Sequence, residues 1–393
     1  MLLELTDLLT ISLLLGAVAC ALAVIYPYAV YPALLLLLRK RPIERGRPDA
    51  ADGRQFSMLF CAFNEAESMP AKLANMRELK ARYPQLSIHA FDDGSDDGTA
   101  DMIERDAPFI SLVRGGGRNG KAHGMKLLAA AADTEYLVFT DANVLLDLDA
   151  LDALAACYAD PAVGGVCGAL KYLGAEGSAT ASVGGKYWQL DEKLKDLESA
   201  TGSVMGADGS IFSIRRALYP QFPDTVLDDL TVSMECVFRG YRLVKSNDVI
   251  AYERLVSARS DEFARKIRIA ARAFGTHRYL REKRREMSRV DRFKYASHKT
   301  IRWFGGAYLI LGTVLGIAAA AIVAPMLGLA LLLVLALLLS LGYHSTRGPH
   351  SAVTELVLAL IATLVGVVRA LRGQTMVTWN PAKSRSPSGT SAS

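Results

Sequence analysis

Between Gln55 and Glu253, short β-rich runs alternate with stretches of helical period. QFSMLFCAF, LSIHAFDD, SLVRG, EYLVFTDA and VGGVCGALKYL predict strands, and helices are predicted from Ser68, Thr99, Lys121 and Asp149. Strand–helix alternation points to an α/β domain with a mostly parallel sheet covered on both faces. In such folds ligands bind at the carboxyl ends of the strands. Three of those ends carry polar and acidic residues: Asn64 and Glu65, Asp92 and Asp93, then Asp141 and Asn143.

The flanks follow a different pattern. Leu8 to Leu38 is almost uninterrupted apolar sequence, longer than the roughly 20 residues that span a bilayer. Pro27 and Pro32 are candidate kinks. Glu4 and Asp7 at its start, and its length, do not suit a cleaved signal peptide. RKRPIERGR follows at once, which places the next segment in the cytoplasm by the positive-inside rule. A second apolar zone, Trp303 to Leu371, divides into roughly Gly305–Ala324, Met326–Leu341 and Ala352–Leu371, with breaks at Pro325 and GYHSTRGPHS. Three crossings there would leave the C-terminus outside, whereas Arg369, Arg372, Lys383 and Arg385 favour the inside. Either the last segment, which contains Glu355, does not fully cross, or the charge rule is weak here. The Ser/Pro/Gly-rich tail KSRSPSGTSAS is expected to be disordered.

Composition sharpens this division. Apolar residues make up 51% and charged residues 22% of the 393 residues, and the net charge is +5. From Arg265 to Arg302 there are 14 Lys/Arg against 3 Asp/Glu, so this belt carries +11 and the remainder −6. Its bases alternate with Ile267, Phe274, Tyr279, Phe293 and Tyr295, which predicts interfacial helices on an anionic leaflet. No recognisable nucleic-acid-binding fold accompanies them. Five cysteines with no CxxC spacing point to a reduced compartment and no zinc site. The six histidines show no metal-binding spacing, and no GxSxG nucleophile elbow is present.

Four motifs carry candidate chemistry, each with a plainer structural reading. DDGSDDGT (Asp92–Thr99) serves as a turn and helix cap, yet two adjacent carboxylates after a buried strand exceed what a cap needs. GGGRNGKA (Gly115–Ala122) nearly matches a P-loop, but Ala122 stands where the Mg²⁺-holding hydroxyl would be. Gly120 still allows close backbone approach and Lys121 offers a point charge to phosphate. TDAN (Thr140–Asn143) is a turn, or a pair of oxygen donors for Mg²⁺ or Mn²⁺ alongside substrate phosphates. LDDL (Leu227–Leu230) puts two carboxylates where a helix N-terminus favours them, and where a general base would also fit.

FNE at 63–65, DDGSDDGT at 92–99, GKA at 120–122, TDAN at 140–143, GADGSIFSIRR at 206–216 and DD at 228–229 occur in an order and spacing that resembles the membrane-bound family 2 glycosyltransferases of GT-A fold. The resemblance covers almost the whole chain. TGSVMGADGSIFSIRR, LDDLTVSMECVFRGYR and WNP at 379–381 look closest to bacterial exopolysaccharide enzymes of the succinoglycan type. The resemblance implies that Asn64, Glu65, Asp92 and Asp93 hold the nucleoside of a UDP-sugar, with Lys121 near the nucleotide. Asp141 matches the first carboxylate of the family's DxD metal motif, and Asn143 replaces the second. Asp229 matches the catalytic Asp, with Asp228 in place of the family's Glu. Gly206, Asp208, Arg265 and Arg268 would face the acceptor. RKIRI departs from the QxxRW of processive members: Arg265 replaces Gln, Arg268 fits, and Ile269 replaces Trp.

These features predict a Rossmann-like GT-A domain at 50–260, an N-terminal transmembrane anchor at 1–40, basic interfacial helices at 261–302, two to three transmembrane helices within 303–371 and a tail at 372–393. The implied activity is inverting transfer of a sugar from a UDP-sugar, with Mg²⁺ or Mn²⁺. The implied acceptor is a polyprenyl-pyrophosphate-linked or growing saccharide, reached from the cytoplasmic face of a bacterial inner membrane. The alternatives are a processive polysaccharide synthase and a non-catalytic nucleotide-binding membrane subunit.

Overall fold

The central strands form because their sequences are apolar on both faces, as strands covered by helices on each side must be. β1 (Phe56–Ala62) and β4 (Tyr136–Thr140) are buried along their whole length. Along β1, Met58, Phe60 and Ala62 enter one core while Leu59 and Cys61 enter the other, the two-residue period of a sheet between two layers. The structure is a computed structural model and describes residues 2–47, 54–173, 179–254, 259–345 and 348–378. WNP at 379–381 and the Ser/Pro/Gly-rich tail lie outside the described residues.

Among the described residues, eight strands form one sheet: β2 (Ser87–Asp92), β3 (Ser111–Arg114), β5 (Leu145–Leu146), β6 (Val163–Leu173), β7 (Ile211–Arg215) and β8 (Arg242–Arg254) join β1 and β4 in the order β3-β2-β1-β4-β7-β6-β8-β5. The β1–β2, β2–β3, β1–β4 and β6–β8 pairs are parallel. The β4–β7, β6–β7 and β5–β8 pairs are antiparallel. The sheet is therefore more mixed than the alternation alone predicts. The reasons are β7, which enters between β4 and β6 with reversed direction, and β5, which runs antiparallel to β8 at the edge. In that register Thr140 pairs with Ile211, so the loop before β7 lies beside Asp141.

Helices α3 (Met69–Arg82), α4 (Thr99–Asp106), α5 (Lys121–Ala131) and α6 (Ala150–Cys157) follow strands, as the periodicity predicts. In α5, Gly124 lets the helix approach the Phe91 ring and Cys61 at a distance that no side chain would permit. α7 (Ala179–Ala200), α8 (Asp228–Phe238), α9 (Arg259–Tyr279), α10 (Arg289–Tyr295) and α11 (Ile301–Trp303) complete the inner layer, with a π-helical turn at Ala296–Thr300.

The N-terminal apolar run divides into α1 (Leu2–Ile25) and α2 (Val30–Leu36), with Pro27 in the break between them. α12 (Gly305–Val323), α13 (Pro325–His344) and α14 (Pro349–Leu371) follow the basic belt. Among the described residues, four helices are thus long and apolar enough to cross a membrane. They are not equivalent. In their most apolar stretches, α1, α12 and α13 bury 0%, 11% and 11%, against 39% for α14. α1 and α12 pack closely, Gly312 of α12 lying against Cys20 and Ala17 of α1. α14 instead passes Gly342 in the last turn of α13, then Gly305 and Gly306 in the first turn of α12, where an added Cβ on Gly306 would lie 2.5 Å from Leu360 O. It then meets α9, where a Cβ on Gly366 would lie 2.6 Å from Ile267 O. α14 therefore crosses the ends of the α12–α13 hairpin and runs along α9.

The basic belt is only partly a surface. Lys294 is fully buried and donates to Glu198 O at 2.9 Å, Arg302 pairs with Asp191 at 2.7 Å and Lys283 pairs with Glu235 at 2.5 Å. Arg278, Arg281, Arg285, Arg289 and Arg292 remain exposed, beside exposed Tyr279, Val290 and Phe293.

Candidate active site

The strand ends and the start of α8 converge on one cleft. Lys121, at the start of α5, donates to Asp141 Oδ1 at 2.5 Å and lies 3.9 Å from Asp228 Oδ2. The β7 loop closes the third side. A Cβ added to Gly209 would lie 2.9 Å from Lys121 Nζ, 3.2 Å from Asp229 Oδ2 and 3.8 Å from Asp141 Oδ2. Only a residue without a side chain leaves the space between these three groups open. From the α9 side, Arg272 approaches to 3.9 Å from Asp228 Oδ1 and donates to Val226 O at 2.9 Å.

This crowding sets the protonation. Removal from water, the adjacent Asp228 charge second, raises Asp229 to about 7, with Lys121 opposing. Burial alone would lower Lys121, but Asp141, Asp228 and Asp229 outweigh it and push its pKa above the ordinary lysine value. The site thus holds a permanent ammonium and a carboxyl poised to exchange a proton near neutrality.

The remaining predicted residues occupy distinct places. Asp92 accepts from Gly94 N and Ser95 N at 3.2 and 3.0 Å, closing its own turn. Asp93 is fully buried and accepts from Asn119 N and Gly120 N at 2.7 and 2.9 Å, so it holds the GKA loop against β2. Asn64 has a φ of +50°, and its amide exchanges hydrogen bonds with Asp96 at 2.8 and 3.0 Å. Glu65 accepts from Ser68 Oγ at 2.6 Å. These four residues brace the loops that rim the cleft. Gly206 has a φ of +100° and packs on Leu230, where an added Cβ would lie 2.6 Å from Cδ1. Asp208 accepts from Lys195 Nζ at 2.9 Å and from Ser210 Oγ, so its carboxylate faces an internal ion network. Arg265 pairs with Glu262 at 3.4 Å, and Arg268 lies half-buried one turn further along α9. Arg272, one further turn on, is the α9 cation that approaches Asp228.

The divalent cation implied by the sequence can be tested against the donor set. Asp141 supplies one carboxylate. The Asn143 amide donates through Nδ2 to Glu253 Oε1 at 3.1 Å, which leaves its oxygen as the group available to a cation. No cluster of three or more His, Cys, Asp or Glu suited to a metal occurs among the described residues. One carboxylate and one amide oxygen fit Mg²⁺ or Mn²⁺ where substrate phosphates complete the shell.

Three residues of the cleft escape sequence reasoning: Gly209, Arg272 and Lys72. Fully buried Lys72 reaches from α3 to Val144 O at 2.7 Å and bears on the TDAN turn, its pKa lowered to about 7 by desolvation. GADGS hints at Gly209 as a loop glycine. Nothing local marks a lysine inside an amphipathic helix.

Comparison with known proteins agrees with this geometry. Residues 57–221 match the profile of glycosyl transferase family 2. Two proteins named poly-beta-1,6-N-acetyl-D-glucosamine synthase from Staphylococcus epidermidis are 28% identical over 121 residues and 31% identical over 99 residues. Those stretches cover 29% and 24% of this chain and 28% and 23% of the relatives, so under a third of either relative is matched. The mannosyltransferase PcManGT from Pyrobaculum calidifontis, solved in complex with GDP-Man and Mn²⁺, superposes with a TM-score of 0.74. It is 23% identical, with 92% of this chain and 99% of that one covered, and this shows a shared fold. Residues 57–221 thus carry a match to the glycosyl transferase family 2 profile within an α/β domain of GT-A-like fold, set between membrane-type helices.

Proposed function

We propose that the protein transfers one sugar from a UDP-sugar to a lipid-linked saccharide, with inversion at the anomeric carbon, in exopolysaccharide or cell-surface glycan synthesis. The observation that carries this reading is the convergence of Asp229, Asp228, Lys121 and Asp141 on the space left open by Gly209. The acceptor hydroxyl gives its proton to Asp229 as its oxygen attacks the anomeric carbon. The bond from that carbon to the diphosphate oxygen breaks, and its electron pair leaves with UDP. Lys121 lies where the developing phosphate charge needs a cation, and the closed cleft strengthens that interaction. Asp141 and Asn143 would hold a divalent cation, which supplies Lewis-acid neutralisation of the diphosphate when bound. Asp229 then returns its proton to solvent.

The matched relatives are named as polymer synthases, which keeps processive synthesis as the second reading. RKIRI in place of QxxRW speaks for single addition, because Ile269 cannot stack on a sugar as Trp does.

The course of α14 also bears on topology. With α1, α12 and α13 crossing the bilayer and α14 lying along its inner face, Arg369 and Arg372 fall on the cytoplasmic side with the catalytic domain. This arrangement satisfies the charge rule that three C-terminal crossings would violate.

The test is UDP release by purified full-length protein in lipid nanodiscs with Mg²⁺ or Mn²⁺. UDP-sugars, GDP-mannose and bacterial lipid extract are supplied in turn. Lipid-dependent release with one UDP-sugar, lost in Asp229→Asn, is the expected result. Release with GDP-mannose alone would overturn the donor class. Long products from the isolated protein would favour the synthase.

A further inference from the structure

Two loops of the cleft are held in different ways. A strap of chain after α14 covers the GKA loop, where a Cβ on Gly120 would lie 2.7 Å from Val377 O. The TDAN turn is held from within, and different elements hold its backbone and its side chain. Lys72 reaches from α3 to Val144 O at 2.7 Å and to Thr140 Oγ1 at 3.5 Å, and Val144 N donates to Asp141 O at 3.2 Å. These contacts fix the backbone. On the other side β5 pairs with β8, with Leu145 opposite Tyr252 and Leu146 opposite Ala251. Continued past Leu145, that antiparallel register brings Val144 and Asn143 alongside Glu253 and Arg254. There the side chain is met: Asn143 Nδ2 donates to Glu253 Oε1 at 3.1 Å. Glu253 is 5% exposed, and in the β6–β8 register it stands opposite Tyr172. Its charge is also felt by Arg265, which burial alone would lower but which Glu262, and after it Glu253, raise.

With the backbone fixed, the freedom left to Asn143 is rotation of its amide, whose two ends are alike in shape and opposite in hydrogen bonding. A carboxylate accepts and does not donate, so Glu253 takes the NH₂ end and turns the amide oxygen away from itself. We propose that Glu253 is a positioning residue of the cation site, and that it makes the site specific for an amide at position 143. Turning the amide over would set its oxygen against the Glu253 oxygen with no proton between them, and would present NH₂ to a cation. A carboxylate at 143 would meet Glu253 in the same way whichever oxygen faced it. On charge alone a second carboxylate beside Asp141 should tighten a divalent cation. Here it loosens the site, because repulsion moves the side chain off the position that the amide holds. The inference rests on the cation reading of Asp141 and Asn143 above and adds the residue that orients the amide.

The experiment measures Mn²⁺ bound by full-length protein in phosphatidylcholine nanodiscs with UDP present, from the loss of the free-ion paramagnetic resonance signal. Asp141→Asn defines the fraction held at this site. Glu253→Leu should weaken that Mn²⁺ by about tenfold, the usual effect of losing a partner that orients a metal ligand. Glu253→Gln keeps an acceptor oxygen and should retain most of the affinity. Asn143→Asp should bind Mn²⁺ more weakly than wild type. Asn143→Asp/Glu253→Gln should recover it, because the glutamine amide then donates to the new carboxylate. Melting temperature and metal-free UDP affinity check the fold of each variant, and the double variant carries the test if Glu253→Leu does not fold. Tighter Mn²⁺ in Asn143→Asp would overturn the inference, as would a double variant that binds no better than Asn143→Asp. Equal losses in Glu253→Gln and Glu253→Leu would do so too, since they would make Glu253 itself a ligand. If wild type binds Mn²⁺ with UDP and the variants at 143 and 253 bind it equally well, the cation reading stands and the inference fails. If wild type binds none, both fail.

Discussion

Two carboxylate-rich clusters lie on either side of the 206–210 loop, and they are built to opposite ends. In the cleft, Asp228 and Asp229 sit side by side with Lys121, and desolvation plus mutual repulsion raise Asp229 to about 7. Behind the loop, Asp191, Glu198 and Asp208 are as deeply placed, and burial alone would raise them too. Arg302, Lys195 and His298 outweigh it, holding all three below the ordinary carboxylate range. Glu198 is fully buried and receives Tyr31 OH at 2.6 Å, His298 Nδ1 at 2.9 Å and Met205 N at 3.1 Å. Burial does not by itself make a reactive acid. The supply of partners decides, and around Asp229 burial and the Asp228 charge outweigh Lys121 and Arg272.

The comparison can be broken at its reactive end first. Asp229→Asn should lower kcat by about 10²–10⁴-fold, the usual worth of a general base, with UDP affinity nearly unchanged by calorimetry. On the structural side, Glu198→Ala should destabilise the fold by about 3–5 kcal/mol, because it strands the His298 ring and Met205 N–H without an acceptor. Thermal unfolding of the nanodisc-embedded protein reads that loss. A melting temperature within a degree of wild type would remove the cluster from its structural role. Lys121→Met should lower kcat/KM for the donor by about 10²-fold, comparable to losing one donor to a developing oxyanion.

The smallest expected effect is on pH, and its sign separates the clusters. Asp229 has a raised folded pKa, so the stability it contributes is full below the ordinary carboxylate range and is lost as pH rises through about 7. Activity should rise over the same interval as the base deprotonates. Asp191, Glu198 and Asp208 have lowered folded pKa values, so their contribution is present at neutral pH and disappears only as pH falls through those lowered values. The melting temperature of wild type should therefore fall between pH 6 and pH 8, and that of Asp229→Asn should change less. An identical change in both proteins would detach this titration from Asp229.

The cleft is legible in the sequence where it is local and obscure where it is assembled. β1 and β4 announce themselves through largely apolar runs and β2 through alternation, and Asp, Asn and Gly mark the turns at their ends. Asp228 and Asp229 stand at the start of a visible amphipathic helix. The motif around Asp208 points it at the acceptor, yet its carboxylate faces Lys195, because the direction of a loop side chain is set by neighbours 13 residues away rather than by the motif around it. Along the chain, Arg272 is one basic residue among 14 in the belt. Only the packing of α9 on α14 selects it, through the close approach at Gly366. The antiparallel insertion of β7 is equally hidden, since a five-residue strand sequence does not declare its direction.

The strap that places Val377 against Gly120 has a consequence for biosynthesis. The loop carrying Lys121 emerges early from the ribosome, whereas the residues that cover it follow more than two hundred and fifty positions later. A nascent chain whose α12, α13 and α14 are not yet made carries Asp228 and Asp229 but not the segment that covers Gly120. The cover over Gly120 is therefore added only after the three long apolar helices that precede it have been made.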